Sequence, residues 1–195
     1  MAGITPSQTV GPYFHYGLTP RDYDFSEVFH SNLVTADASG ERIRIEGRVT
    51  DGDGQGVNDS MVEIWQADAA GRYAHPADRR ALPNASFKGF GRVATDKSGA
   101  YSFETIRPGA VPGPNGAAQA PHILVVVFSR GMLRHLYTRL YFADEAKNDA
   151  DPILALVPAG RRGTLIAQRG DRNGQAVYTF DIRLQGDGET VFFDI

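Results

Sequence analysis

The chain has 195 residues, a formal net charge of -3 and no cysteine. This length suits one domain with a substantial core, and the weak negative charge gives no electrostatic support for nucleic-acid binding. The lack of cysteine excludes disulfides, zinc–thiolate sites and iron–sulfur clusters.

Residues 1–40 show no regular period, and we interpret them as an irregular N-terminal arm. The arm is rich in aromatic side chains, which would be costly to leave in water: Tyr13, Phe14, Tyr16, Tyr23, Phe25 and Phe29. We therefore expect it to pack on a partner subunit, with packing on its own chain as the alternative. The arm lacks the basic start and apolar run of a signal peptide, and no apolar stretch is long enough to span a bilayer. We expect a cytoplasmic protein that does not bind membranes.

Residues 41–195 carry the predicted regular structure. Segments that alternate apolar and polar residues, or that are continuously apolar and β-branched, predict about eight strands: residues 43–49, 61–67, 90–95, 101–106, 123–128, 133–142, 164–169 and 176–184. The run 123–128 is typical of a strand buried on both faces. Asp96-Lys97-Ser98-Gly99 and Arg172-Asn173-Gly174-Gln175 indicate hairpin turns. Helix is expected only near residues 144–148 and 153–156, so the pattern predicts an all-β, single-domain β-sandwich.

The sequence contains none of the common motifs that would indicate a particular chemistry. The histidines form neither an H-E-x-x-H motif nor a close pair on one expected face: His15, His30, His75, His122 and His135. A serine nucleophile elbow, a P-loop and a dinucleotide-binding fingerprint are also missing.

Four segments, taken in order, form a more specific pattern. They are Trp65-Gln66-Ala67-Asp68-Ala69-Ala70-Gly71-Arg72-Tyr73, Arg107-Pro108-Gly109-Ala110-Val111-Pro112, Ala120-Pro121-His122-Ile123-Leu124 and Thr138-Arg139-Leu140-Tyr141-Phe142. Together they resemble the intradiol ring-cleavage dioxygenases from about residue 40 to the C-terminus. The resemblance implies a non-haem Fe(III) centre with tyrosine and histidine ligands, which activates a catechol-type substrate for reaction with O2.

The family's ligand positions fall on four residues of this chain: Tyr73, Val111, His122 and Leu124. Val111 stands where the family has its second tyrosine, and Leu124 stands where it has its second histidine. One phenolate and one imidazole would leave most of the ferric coordination sphere to water, and the two apolar side chains fill space as core residues do. We therefore expect this chain to bind no metal.

Two accessory positions depart from the family as well. Gln119 replaces an arginine that precedes the first histidine, and Arg139 replaces a glutamine in the last segment. With their metal lost, Tyr73 and His122 are expected to hydrogen-bond to each other or to a neighbour.

The arm and the tail, residues 180–195, are similar to those of the iron-free chain of a two-chain family member. This likeness implies a higher-order oligomer in which a beta subunit of the same fold carries the Fe(III). The complex would act on a small carboxylated aromatic substrate and O2. From this chain, the substrate cavity is predicted to receive five residues: Thr9, Gly11, Pro12, Tyr13 and Arg130.

Each part of that cavity prediction has a reason and an alternative. The Gly11-Pro12 pair allows close backbone approach, and Arg130 offers a cation to a carboxylate. Alternatively, Arg130 is an ordinary solvated turn residue, and Tyr13 only packs.

Two other functions remain open from the sequence. The chain could be a self-sufficient dioxygenase that recruits a different ligand such as His75. It could also be a non-catalytic β-sandwich module that binds or carries a small molecule.

Overall fold

The computed structural model describes residue 20 and residues 24–26, 29–81 and 85–194. Strands dominate this part of the chain, which confirms the predicted all-β class. The strands are β1 (Arg42–Thr50), β2 (Ser60–Trp65), β3 (Phe90–Ala94), β4 (Ala100–Ile106), β5 (Val111–Pro112), β6 (Ala118–Gln119), β7 (His122–Ser129), β8 (Leu136–Phe142), β9 (Ile166–Arg172), β10 (Gln175–Thr179) and β11 (Ile182–Arg183). Short 3-10 helices lie at Pro114–Gly116, Ala146–Ala150, Leu154–Leu156 and Ala159–Leu165.

Nine of the strands form one continuous mixed sheet. Its order is β11-β1-β10-β9-β8-β7-β2-β3, with β4 also paired to β1, while β5 and β6 form a separate ribbon. The sheet has two halves, one made of β11, β1, β10 and β9 with β4, and the other of β8, β7, β2 and β3. They join where Tyr141 and Phe142 of β8 pair in parallel with Ile166 and Ala167 of β9. Because this join makes the sheet barrel-like, the predicted division into the two sheets of a sandwich is not confirmed.

The main core lies where apolar side chains of both halves meet. On β7, Ile123, Val125 and Val127 belong to this core and are at most 1% exposed. Successive side chains on a strand point to opposite faces, so His122 and Leu124 lie on the outer face of the sheet. Most residues of β7 are buried on both faces, as its continuous apolar run predicts.

The predicted strand 176–184 is divided into β10 and β11 by a close approach to β1. The carbonyl oxygen of Phe180 accepts a hydrogen bond from the Tyr101 hydroxyl at 2.6 Å. A Cβ at Gly47 would lie 1.9 Å from that oxygen, so glycine is required there. Ladder pairing resumes at Ile182, which pairs with Val49.

The two predicted hairpins have different outcomes. Asn173 and Gly174, both with positive φ, join β9 to β10 in a hairpin, as predicted. The turn at residues 96–99 also forms, and its Gly99 amide donates to the Asp96 carbonyl. However, β3 pairs with β2 and β4 pairs with β1, so the predicted hairpin is wrong. The turn instead connects the two halves of the sheet, because β3 on one side of it and β4 on the other pair with strands of different halves.

Most of the N-terminal arm lies outside the described residues, so its packing on a partner stays a prediction. Its last part contacts its own chain, since the Leu33 amide donates to the Glu104 carbonyl and Leu33 joins the core. Phe25 is 60% exposed. Among the described residues, no helix has the length and apolar character needed to cross a membrane.

Candidate functional site

The outer face of the β2-β7-β8 half collects most of the site residues. Leu124 of β7 lies opposite Trp65 of β2 on one side and Arg139 of β8 on the other. His122 lies opposite Tyr141 of β8, and their ring centroids are 5.8 Å apart. Directly opposite residues point to the same face, so these side chains share one surface. We give the name relict site to the four positions onto which the family resemblance places its metal ligands: Tyr73, Val111, His122 and Leu124.

Tyr73 reaches this surface through a tight turn after β2. The Asp68 carboxylate accepts hydrogen bonds from the amides of Ala70 and Arg72, each at 2.9 Å. Gly71 has φ of 74°, and a Cβ there would lie 1.9 Å from the carbonyl oxygen of the facing loop. The turn returns Tyr73 onto Trp65, with ring centroids 4.8 Å apart.

The β5–β6 ribbon brings Val111 and Gln119 side by side, because the two residues are paired in its register. Val111 is 4% exposed. Gln119 accepts a hydrogen bond from Arg139 Nη1 at 2.6 Å and donates one to the Pro112 carbonyl at 3.0 Å. The two accessory positions that depart from the family are therefore bonded directly to each other.

Asp151 anchors the other side of the relict site. It is 0% exposed, and its Oδ1 accepts a hydrogen bond from the Tyr141 hydroxyl at 3.1 Å. Its Oδ2 accepts one from the Ala120 amide at 2.7 Å. The amides of Ile153 and Leu154 also donate to Oδ1, at 2.9 and 2.7 Å. Every partner of this carboxylate is a donor, which suits a charged group held by a network of hydrogen bonds.

His122 is a neutral imidazole at neutral pH. Its Nδ1 lies 2.7 Å from the Ala120 carbonyl oxygen, which can only accept, so Nδ1 carries the proton and Nε2 has a free lone pair. Burial, assisted by the positive charge of Arg139, lowers the His122 pKa from 6.5 to about 4. The imidazole therefore remains available as an acceptor.

The phenols of the site also stay protonated. Burial raises the pKa of both Tyr73 and Tyr141, and the nearby charge of Arg139 opposes the rise in each. The Tyr73 amide donates to Asp78 at 2.9 Å, but its hydroxyl has no hydrogen-bond partner among the described residues. Within the same ranges, no three His, Cys, Asp or Glu side chains are grouped so that they could hold a metal ion.

Arg130 lies far from the relict site. It follows the last residue of β7, whereas His122 is the first, and eight residues at about 3.3 Å each separate them by roughly 26 Å. Its side chain is 74% exposed and pairs with Asp59 at 2.9 Å. The other predicted cavity residues, Thr9, Gly11, Pro12 and Tyr13, lie outside the described residues.

Sequence reasoning missed the roles of Tyr141 and Asp151. Tyr141 stood inside the last segment of the family pattern, which could have drawn attention to it. Asp151 had no comparable signal, because its contacts depend on how the chain after β8 returns to the start of β7.

Comparisons with known proteins agree along nearly the whole chain. A dioxygenase family model matches residues 9–186. The protocatechuate 3,4-dioxygenase alpha chain of Burkholderia cepacia is 49% identical, over 98% of this chain and 97% of its own length. A protocatechuate 3,4-dioxygenase beta chain of Burkholderia cepacia is 38% identical, over 89% of this chain and 75% of its own length. A solved intradiol ring-cleavage dioxygenase of Tetranychus urticae, 20% identical, covers 93% of this chain and 94% of its own with a TM-score of 0.65. This last likeness supports the fold alone.

Proposed function

This chain belongs to the intradiol dioxygenase family, and we propose that it is the iron-free alpha subunit of a protocatechuate 3,4-dioxygenase. The reaction of the complex is O2-dependent cleavage of protocatechuate between its two hydroxyl-bearing carbons. The product is 3-carboxy-cis,cis-muconate, an intermediate of the β-ketoadipate route of aromatic degradation. The observation that carries the proposal is the 49% identity to a named alpha chain over 98% of this chain.

The donor set of the relict site does not fit Fe(III). Ferric iron in this family needs hard anionic ligands, whereas Val111 and Leu124 offer none and burial raises the Tyr73 pKa. Arg139 brings a fixed positive charge to the same surface, which further disfavours a trivalent cation. Because the remaining donors are one phenol and one imidazole, no catalytic step is assigned to metal on this chain.

The iron therefore belongs to a partner chain in the proposed complex. Alpha and beta chains of protocatechuate 3,4-dioxygenase are separate relatives of this chain, at 49% and 38% identity, which supports an alpha–beta hetero-oligomer. A chain similar to the beta relative would bind the iron, and several alpha–beta pairs would form a closed symmetric assembly.

The contribution of this chain is to help form the substrate cavity beside the partner's iron. Arg130 is suited to this task because its side chain is 74% exposed, although that of its partner Asp59 is only 17% exposed, and ion pairs with a solvated member contribute only about 0–1 kcal/mol. Its guanidinium can therefore turn toward a substrate carboxylate at low cost. The arm residues Thr9, Gly11, Pro12 and Tyr13 are proposed to line the same cavity.

Reconstitution tests this proposal. The chain is expressed alone and together with a beta-type partner, and each product is assayed for copurification, O2 uptake and loss of protocatechuate absorbance. We expect a stable complex that cleaves the ring, and no cleavage by this chain alone. A chain that forms no complex, or a complex without ring cleavage, would contradict the proposal.

A further inference from the structure

Arg139 is a half-buried cation without a carboxylate partner among the described residues. It donates to the neutral Gln119 amide at 2.6 Å and weakly to the Tyr141 hydroxyl at 3.5 Å, both through Nη1. Four other half-buried arginines have a carboxylate oxygen within 3.0 Å: Arg44, Arg72, Arg92 and Arg107. Arg162 and Arg183 have none in the described part of the chain, but each donates to two or more backbone carbonyls through both Nε and Nη2, whereas the bonds of Arg139 use Nη1 alone. The Nε and Nη2 donors of Arg139 thus remain available to an anion.

Two neighbouring side chains also present unused polar atoms. The Tyr73 hydroxyl and His122 Nε2 have no protein partner in the described ranges. The buried side-chain oxygens and nitrogens without a partner in those ranges are Ser60 Oγ and Asn148 Oδ1, so the Tyr73 and His122 atoms retain contact with solvent. A donor, an acceptor and a cation therefore remain accessible on one surface.

The rest of this surface is apolar and aromatic. Leu124 lies between Trp65 and Arg139 in one row across three strands, which spans about 10 Å. Tyr73 packs on Trp65 at one end of the row, and His122, whose ring lies against the fully buried Tyr141, is two residues from Leu124 on the same face of β7. Flat apolar walls with a few convergent polar groups are typical of small-molecule sites.

We propose that the relict site, together with Arg139, binds a planar aromatic carboxylate without any metal. The guanidinium of Arg139 receives the carboxylate, in the bidentate geometry that arginine favours. The ring lies over Leu124 against the aromatic side chains, and the Tyr73 hydroxyl and His122 Nε2 select ring substituents that can accept or donate a hydrogen bond. This inference concerns the chain itself and does not rest on the proposed subunit role.

Trp65 supplies a direct reporter, because it is the single tryptophan of the chain. Benzoate is titrated into the full chain, and we expect saturable quenching of Trp65 fluorescence with a Kd of about 1 mM or lower. Acetate tests the carboxylate without a ring, and cyclohexanecarboxylate tests an apolar ring that is not planar. Each is expected to bind at least tenfold more weakly, and acetate binding as tight as that of benzoate would overturn the proposal.

Variants test the contribution of the Arg139 charge to benzoate binding separately from its contribution to folding. Arg139→Gln is expected to weaken benzoate binding at least tenfold, while Arg79→Gln, which changes an exposed arginine, leaves it unchanged. If Arg139→Gln does not fold by circular dichroism, Leu124→Phe places a ring where the ligand ring would lie and is expected to block binding. Benzoate affinity that is unchanged in the folded variant, either in the chain or in its purified complex, would overturn the proposal.

Discussion

The two ends of strand β7 use their polar groups in opposite ways. At the His122 end, imidazole, phenol and carboxylate groups bond mostly within the chain, and Asp151 is 0% exposed. At the Ser129 end, the connection to β8 carries Arg130 with its side chain 74% exposed and Leu133, which is 72% exposed. The His122 end is therefore tied mostly into its own chain, with Arg139 of the neighbouring strand as its half-buried cation, whereas the opposite end extends exposed side chains into solvent.

The largest expected effect is on the internal end. Asp151→Ala should lower the free energy of unfolding by about 3 kcal/mol or more, because it leaves buried amide donors without an acceptor. Urea denaturation measures the loss. Asp149→Ala, on the exposed surface of the short helix that ends at residue 150, is the matched control and should change stability by less than about 0.5 kcal/mol. Equal losses of unfolding free energy in the two variants would show that Asp151 does not specifically stabilise the His122 end of β7.

The pH dependence of stability gives the next largest effect. The folded-state pKa of His122 is about 4, compared with 6.5 as its ordinary value, so the unfolded chain binds a proton first as the pH falls. The His122 contribution is therefore fully present above pH 6.5, is lost between pH 6.5 and 4, and is constant below. At about 1.4 kcal/mol per pKa unit, the loss is roughly 3 kcal/mol.

Urea unfolding at a series of pH values, compared with His122→Gln, isolates this contribution from that of other titrating groups. The difference in stability between the two proteins should change with pH only in that interval. A flat difference would show that His122 is not a buried neutral imidazole.

The exposed Ser129 end of β7 is tested by the catalytic activity of the complex rather than by the stability of the chain. Arg130→Gln should lower kcat/KM of the complex for protocatechuate about tenfold, which corresponds to about 1.4 kcal/mol, without changing the stability of the chain. Lys97→Gln, in the exposed turn between β3 and β4, controls for removal of a surface charge. Unchanged kcat/KM in Arg130→Gln would show that Arg130 is an ordinary solvated turn residue.

The smallest effect is expected for the partner of Arg130. Asp59→Asn should change the free energy of unfolding by less than about 1 kcal/mol, since water screens the 74% exposed side chain of Arg130 even though that of Asp59 is 17% exposed. Thermal denaturation of the chain measures this change. A loss of several kcal/mol would mean that Arg130 is held in place and is not free to turn outward.

Local patterns predicted the strands, because alternation and apolar runs reflect which faces are buried. They could not predict the join between β8 and β9 or the divergence of β3 from β4, since both depend on pairing between distant segments. The ribbon strands β5 and β6 have two residues each, which is too short for a period.

The relict site was only partly accessible to sequence reasoning. Family resemblance located Tyr73, Val111, His122 and Leu124, and the structure places His122 and Leu124 on one face of β7. The bond between Gln119 and Arg139 requires the ribbon to lie beside β8, which no local signal specifies. The unpaired charge of Arg139 became apparent only from the absence of a nearby carboxylate among the described residues.

Iron analysis of separated chains tests the central claim most directly. The chain is purified alone and from its complex with the partner, and the iron bound to each chain is measured together with the visible tyrosinate absorption. The account predicts background iron and no colour for this chain, with stoichiometric iron on the partner. Stoichiometric iron with a tyrosinate band on this chain alone would contradict it.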